Sequence, residues 1–341
     1  MVPDVCDFLD AMEFLSVFFA LLFSGVIILL LILLAAGIAC IFGASFAAVF
    51  KGGLWALLLP PALILYGWLV ERNIYVVRQT GIVSERLPES FDGYRIVHIS
   101  DLHLRSFRHR LGSLSRAVDR INDLGPDIIM FTGDLVTSYP DEIAPCMEIL
   151  SRLKARDGIV SVMGNHDYCP YSEWPTQAMR EAAVAEIRGY ESAMGWHLLD
   201  DSHIELTRAG ADGEDTISVI GVENISAMPR FETHGNLDRA LTGAAGDFKI
   251  LLSHDPTHWR SEVLGRTDIG LTLSGHTHNA QFSFFGLEPS RLVFRENSGL
   301  YQEESSMGVQ YLYVNDGLGE TIFPARIGVP PEITVITLRC R

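Results

Sequence analysis

Five stretches of the chain place groups able to hold a metal ion or move a proton directly after short apolar runs. "SDLHL" supplies Asp101 and His103, "GDL" supplies Asp134, "GNHD" supplies Asn165, His166 and Asp167, "SHD" supplies His254, and "GHTH" supplies His276 and His278. Carboxylate, amide oxygen and imidazole together suit hard or borderline divalent cations such as Mn, Fe, Zn or Mg, whereas a thiolate-rich set would select softer ions. A carboxylate can bridge two ions, and a pair of them roughly 3.5–4 Å apart can clamp a phosphoryl group and make water a nucleophile near neutral pH. A histidine beside the pair can hand a proton to the leaving group. His166 is the candidate, with Asp167 adjacent in sequence to hold it.

Taken singly, each of these residues has an ordinary structural explanation. An aspartate after glycine, as at Asp134, is usually a turn former or helix cap, Asn165 fits an Asx-turn, and a lone strand-end histidine is more often a hydrogen-bonded structural group. The conjunction reverses that reading, because five of the eleven histidines stand at such ends. His98, His197, His203, His234 and His258 lie elsewhere and keep the structural reading.

The elements that must position these groups are legible as alternating patterns. Runs of strand length occur at 94–100, 127–133, 158–164, 216–222, 249–254, 269–275, 311–314 and 332–338. Residues 111–125 put Leu111, Leu114, Val118, Ile121 and Leu124 on one helical face and close on Gly125 and Pro126, and residues 176–195 form a second helical stretch. Residues 208–216 read as a hairpin tip. Apolar strands alternating with helices imply an α/β sheet core, and ligands bind such sheets beyond the strand ends.

The front of the chain is different. No charged residue occurs from Phe14 to Phe50, and a second uncharged run spans Leu54 to Val70. Roughly 20 residues cross the hydrocarbon core as a helix, so two crossings are expected, with three short ones as the alternative. Pro60 and Pro61 would kink the second run or split off a re-entrant piece. Asp4, Asp7, Asp10 and Glu13 precede the first run with no Lys or Arg, which favours a retained anchor over a cleaved signal peptide. Lys51 lies between the runs and Arg72, Arg78 and Arg86 follow them, favouring a cytoplasmic C-terminal domain.

A formal net charge of -16 argues against nucleic acid as a partner, since that requires a basic face. The one dense basic stretch, "RSFRHR" at 105–110, reads as a solvated loop or, alternatively, as a contact for an anionic substrate. Cysteines at 6, 40, 146, 169 and 340 show no C-x-x-C spacing and support neither a disulfide framework nor a thiolate site.

In order, D-x-H, G-D, G-N-H-D, H and G-H-x-H resemble the calcineurin-like metallophosphoesterase family over residues 94 to 280. The tail from Gly299 looks like the end of its membrane-associated bacterial, YkuE-type branch. The resemblance implies a four-layer sandwich, two mixed β-sheets face to face flanked by helices, behind an N-terminal transmembrane segment. The apolar runs make 1–72 an anchor, residues 73–93 read as a polar connector with some β character, and the phosphoesterase domain is expected over 94–341. The resemblance further implies two divalent ions (Mn, Fe, Zn or Mg), the first on Asp101, His103 and His278, the second on Asn165, His254 and His276, with Asp134 bridging. His166 would contact the phosphate and protonate the leaving group. Many relatives carry a second aspartate where this chain has Thr137, a departure that touches support of the site or substrate preference and spares the ligands.

The expected function is therefore a dimetal phosphoesterase of a bacterial inner membrane, cutting a phosphodiester or pyrophosphate bond. A lipid-linked substrate is one version, as in the UDP-2,3-diacylglucosamine pyrophosphatases of lipid A synthesis. A non-catalytic metal-binding scaffold predicts a missing ligand, and a transporter requires more crossings than the chain offers. Tyr168, Tyr171 and Trp174 after the histidine motif are expected to pack their loop onto the domain more than to line a pocket.

Overall fold

The computed structural model describes residues 5–211 and 213–341, with side chains described from residue 11 onward. Twelve strands follow the helical front: β1 Val76–Ser84, β2 Arg95–Ile99, β3 Ile128–Phe131, β4 Ile159–Ser161, β5 His197–Leu198, β6 Ser202–Ala209, β7 Glu214–Gly221, β8 Phe248–Leu252, β9 Leu271–Ser274, β10 Gly299–Ser305, β11 Gly308–Val314 and β12 Glu332–Cys340. They form two six-stranded sheets, ordered β1-β12-β2-β3-β4-β5 and β10-β11-β9-β8-β7-β6. Both are mixed. In the first, β2 to β5 run parallel and β12 joins β2 antiparallel; in the second, β7, β8, β9 and β11 run parallel between two antiparallel edge strands.

Strand periodicity explains the layering. Ile128 and Met130 of β3 enter the core between the sheets, where they meet Ile250, Leu252, Leu271 and Leu273, while Ile129 and Phe131 point the other way. There they pack beneath Leu114, Val118 and Ile121 of one helix and Ile187 of another. On the far side, Ile220, Leu251 and Leu312 cover Leu237 and Trp259. The helices are α1 Val5–Ile41, α2 Phe46–Gly53, α3 Leu59–Leu69, α4 Leu111–Asp123, α5 Met147–Leu150, α6 Gln177–Ala193 and α7 Leu237–Leu241. The order is thus helix, sheet, sheet, helix. Truncating a fully buried residue such as Ile129 to alanine removes contacts in this packing and costs about 2–5 kcal/mol.

The stretch expected to be a connector, 73–93, contributes β1, which pairs in parallel with β12 along Val76 to Ser84. Its mixed polar and apolar sequence suits an edge strand with one exposed face.

At the front, Ala11–Ile41 and Phe46–Asn73 are each long and apolar enough to cross a membrane. Their large side chains are mostly exposed, Phe23 by 71% and Trp55 by 75%. Pro60 and Pro61 stand in the first turn of α3, where a missing N–H costs nothing, and a 3-10 stretch at Leu54–Leu58 just before them breaks the second run between α2 and α3. Both spans return to the same side of the domain. Ser16 Oγ donates to Ile322 O at 3.1 Å, Arg72 Nη1 donates to Pro324 O at 3.2 Å, and Gly67 packs so closely on Arg326 O that a Cβ there would lie 2.5 Å from it.

Candidate functional site

The two sheets deliver their chemistry to one edge: β2, β3 and β4 from the first sheet lead into Asp101, Asp134 and Asn165, and β8 and β9 from the second lead into His254 and His276. The loops stay registered beyond the strands, since Asp101 N donates to Gly133 O at 2.9 Å and His103 N to Asp134 O at 3.0 Å. All seven residues expected as ligands converge here and are buried or nearly so.

The cluster is built around one oxygen. Asp134 Oδ2 lies 3.5 Å from His103 Nε2 and 3.2 Å from His254 Nε2. On the first side, His103 Nε2 and His278 Nε2 stand 3.0 Å apart, with Asp101 Oδ1 3.2 Å from His278 Nε2. On the second, His254 Nε2 is 3.1 Å from Asn165 Oδ1 and 3.2 Å from His276 Nδ1. Donor atoms about 2.0–2.1 Å from a shared ion sit roughly 3.0–3.4 Å from one another, so both groups have the spacing of a coordination shell. The donor set fits too. His254 Nδ1 faces Thr132 O at 2.7 Å, which fixes a proton on that nitrogen and turns Nε2 to the centre.

The backbone is bent to achieve this. Asp101, His103, Asp134, His276 and His278 all have positive φ, between 41° and 70°, a conformation L residues adopt at a cost. Two glycines make the room. A Cβ on Gly164 would lie 2.2 Å from Asp134 Oδ1, and one on Gly275 would lie 2.2 Å from Asp101 Oδ2. The glycines of "GNHD" and "GHTH" are thus there for close approach.

Charge is shared across the cluster. Burial opposes ionisation of Asp134, yet His254 and His166 beside it hold its carboxyl well below the usual range. Reciprocally, burial would lower His254, and the Asp134 carboxylate outweighs that and lifts it to about 10. Burial dominates at His103, which is held well below the ordinary imidazole range, and at His276, lowered to about 4, so both present neutral rings with a free lone pair. His98, also fully buried, is lowered to about 3 by burial and bonds Thr132 Oγ1 at 2.9 Å.

His166 stands at the rim with its Nδ1 2.7 Å from Thr137 O. The expected support from Asp167 is absent, because that carboxylate turns inward. It accepts from the backbone N–H of Asp134 at 2.8 Å, Gly164 at 2.9 Å and Val136 at 3.1 Å. Asp167 therefore fixes the loops that carry Asp134 and Asn165, and Thr137 fixes the ring. Thr137 is held in turn by Glu142, a half-buried residue whose carboxylate accepts from the N–H groups of Arg105, Thr137, Ser138 and Tyr139. Sequence reading missed Glu142; its only signal is an acidic residue shortly after "GDL".

A cleft of about 650 Å³ opens over the cluster. Arg230 and Arg105, the latter 3.9 Å from Glu13 Oε1, bring positive charge to its wall, Glu13 and Glu320 bring negative charge, and Met12, Phe231, Phe294 and Ile322 make much of the rest apolar. Of the three aromatic residues after the histidine motif, Tyr168 is buried against His234 and Trp174 donates to Cys169 O, as packing residues do. Tyr171 instead lines the cleft, its ring centroid 4.5 Å from that of His166 and its hydroxyl 2.9 Å from Asn165 Nδ2. Behind His278, fully buried Arg326 donates to the carbonyls of Asp316, Gly319 and Val329.

Residues 94–280 match the calcineurin-like phosphoesterase family. YkuE of Bacillus subtilis, an uncharacterised metallophosphoesterase, is 32% identical over 80% of this chain and 89% of its own length. A zebrafish transmembrane protein with a metallophosphoesterase domain is 33% identical over 85% of this chain; the match spans 63% of that longer protein. LpxG of Chlamydia muridarum, a UDP-2,3-diacylglucosamine pyrophosphatase, is 27% identical over 75% of this chain and 87% of its own length.

Proposed function

The chain belongs to the calcineurin-like phosphoesterase family, and from that premise we propose that it hydrolyses a phosphodiester or diphosphate bond at the cluster centred on Asp134. The observation that carries this reading is the sharing of Asp134 Oδ2 by two donor groups, one on each side. Asp101, His103 and His278 would hold one ion, Asn165, His254 and His276 the other, and Asp134 both. When bound, two divalent ions such as Mn, Fe, Zn or Mg supply Lewis acidity toward the phosphoryl oxygens and an activated water.

The chain's own residues do the rest. His166, with Nδ1 committed to Thr137 O, presents Nε2 to the cleft, where it orients a phosphate oxygen and gives a proton to the leaving group. Arg105 and Arg230 meet the remaining charge of the substrate, a task suited to guanidinium. Asp167 and Glu142 keep the loops in register by accepting backbone N–H groups.

The two apolar spans support anchoring in a membrane, with the catalytic domain on the side where both spans end, and the inner membrane of a bacterium with a cytoplasmic domain is the setting we favour. A second reading narrows the substrate to a lipid-linked phosphate. It is favoured by the apolar wall of the cleft, to which Met12 of α1 contributes, and by the likeness to LpxG.

The test uses the full chain in detergent with bis-p-nitrophenyl phosphate, in Mn or in chelator. Metal-dependent turnover that is lost in His166→Ala supports the proposal. Turnover equal in chelator and Mn, or undiminished in the variant, refutes it. A lipid-linked diphosphate cut with a kcat/KM no better than that of its water-soluble headgroup would remove the narrower reading.

A further inference from the structure

After the apolar front, that is beyond residue 73, large hydrophobic side chains that are more than half exposed occur in one place only among the described residues. Phe285 is 92% exposed, Leu292 90%, Leu287 70% and Val293 51%, and Ile322 on the neighbouring loop is 62% exposed. Other exposed apolar residues of the domain, such as Val83 at 44% and Met179 at 46%, are scattered singly, as on any soluble surface.

This loop is not loose. Ser283 N donates to Ile327 O at 2.8 Å, Gln281 Nε2 donates to the carbonyls of Phe323 and Ala325, and Asn279, Ser290 and Asn297 bond one another at its base. Its partner segment, 321–327, is the one on which the front helices rest, through Ser16, Gly67 and Arg72. Gly67 lies six residues before the end of the span at Asn73, about 9 Å along a helix, so that segment stands level with apolar helix and not beyond it.

We propose that the loop from Phe284 to Val293, with Ile322, dips into the bilayer interface beside α3 as a third membrane contact of the domain. The proposal rests on the anchor reading above and extends it. The occupant is the bilayer because the loop is bonded to the very segment on which both spans rest. Arg291 and Arg295, 67% and 72% exposed at the side chain, flank the apolar tip as cations flank interfacial segments, and Glu288 is drawn to Arg291. The root of the same loop reaches the cleft, where Phe294 meets the ring of His276 edge-on at 5.5 Å. A wall of the cleft would thus be steadied by lipid, and its mouth would open at the membrane surface.

Nitroxide accessibility tests this in the full chain, reconstituted in nanodiscs of phosphatidylcholine and phosphatidylglycerol, with Cys6, Cys40 and Cys340 changed to serine. One label each replaces Phe285→Cys on the loop, Leu30→Cys in α1, and Glu214→Cys at the opposite sheet edge, every variant first checked by circular dichroism and gel filtration. The ratio of collisions with oxygen to collisions with a nickel chelate is expected to be roughly fivefold or more higher at 285 than at 214, approaching that at 30. A high ratio at 30 with 285 equal to 214 overturns the loop proposal and leaves the anchor. Low ratios at both 30 and 285 overturn both. Protection of 285 from oxygen and nickel alike means that protein, not lipid, covers the loop, and also overturns it.

Discussion

The two ends of the parallel strands turn the chain through the same left-handed backbone region but spend different residues on it. Where the chain enters, positive φ falls on Gly93 before β2, Gly125 before β3, Gly158 before β4 and Gly195 before β5. Where it leaves, positive φ still falls on Gly133 after β3 and Gly317 after β11, but it also falls on Asp101, His103, Asp134, His276 and His278. Glycine takes this conformation without steric cost, whereas each of the others stores on the order of 1–3 kcal/mol. At the entering end only a turn is wanted. At the leaving end a turn and a donor atom are wanted in the same place, and the strain is held by bonds such as those from Asp134 N and Gly164 N to Asp167.

That contrast can be pressed experimentally. Removing the one proton-handling group of the leaving end, His166→Ala, should lower kcat about 10²–10⁴-fold with bound ions retained, since the ring is not among the seven ligands. An equal loss of ions would place His166 inside the shell. Asp167→Asn, which keeps the size but leaves one of three backbone N–H groups without its acceptor, should cost about 1–3 kcal/mol in a denaturant titration. A neutral result would mean that the strained turns hold themselves.

Ion affinity should also depend on pH, because His254 holds a proton up to about 10 beside Asp134 and must release it before its Nε2 can serve as a ligand. The ion-free fold keeps that proton at neutral pH, so affinity measured by competition with a chelator should rise about tenfold per pH unit from 6 to 8. A flat profile would mean that His254 is already neutral. The smallest effect distinguishes the ends directly. In chelator, His278→Gly should be about 1 kcal/mol more stable than His278→Ala, while Gly158→Ala should lose about 1 kcal/mol. Equal stability of the two His278 variants would remove backbone strain from the account.

The seven ligand candidates were readable because both their chemistry and their position are local: each is a Cys-free metal donor at the end of an apolar run. The supports were not, since they act across long separations in the chain. Glu142 reaches Arg105 N, Arg326 lies behind His278, and Phe231 and Phe294 meet His276 from separate loops. Adjacency misled once. Asp167 was the obvious partner for His166, but a short helical turn at His166–Tyr168 sends neighbouring side chains in different directions. β1 was legible only as a connector with some β character, because an edge strand alternates exposed polar residues with few buried ones, and only Ile82 and its pairing with β12 mark it as part of the sheet.

The central claim is that one carboxylate joins two donor groups into a site for two ions, and counting ions tests it most directly. The full chain, loaded with Mn and freed of excess, would be analysed by inductively coupled plasma mass spectrometry beside His276→Ala, His278→Ala and Asp134→Ala. The account predicts two ions per chain in the parent, about one in each histidine variant and fewer than one in Asp134→Ala. A parent that binds a single ion, or an Asp134→Ala variant that keeps two, would contradict it.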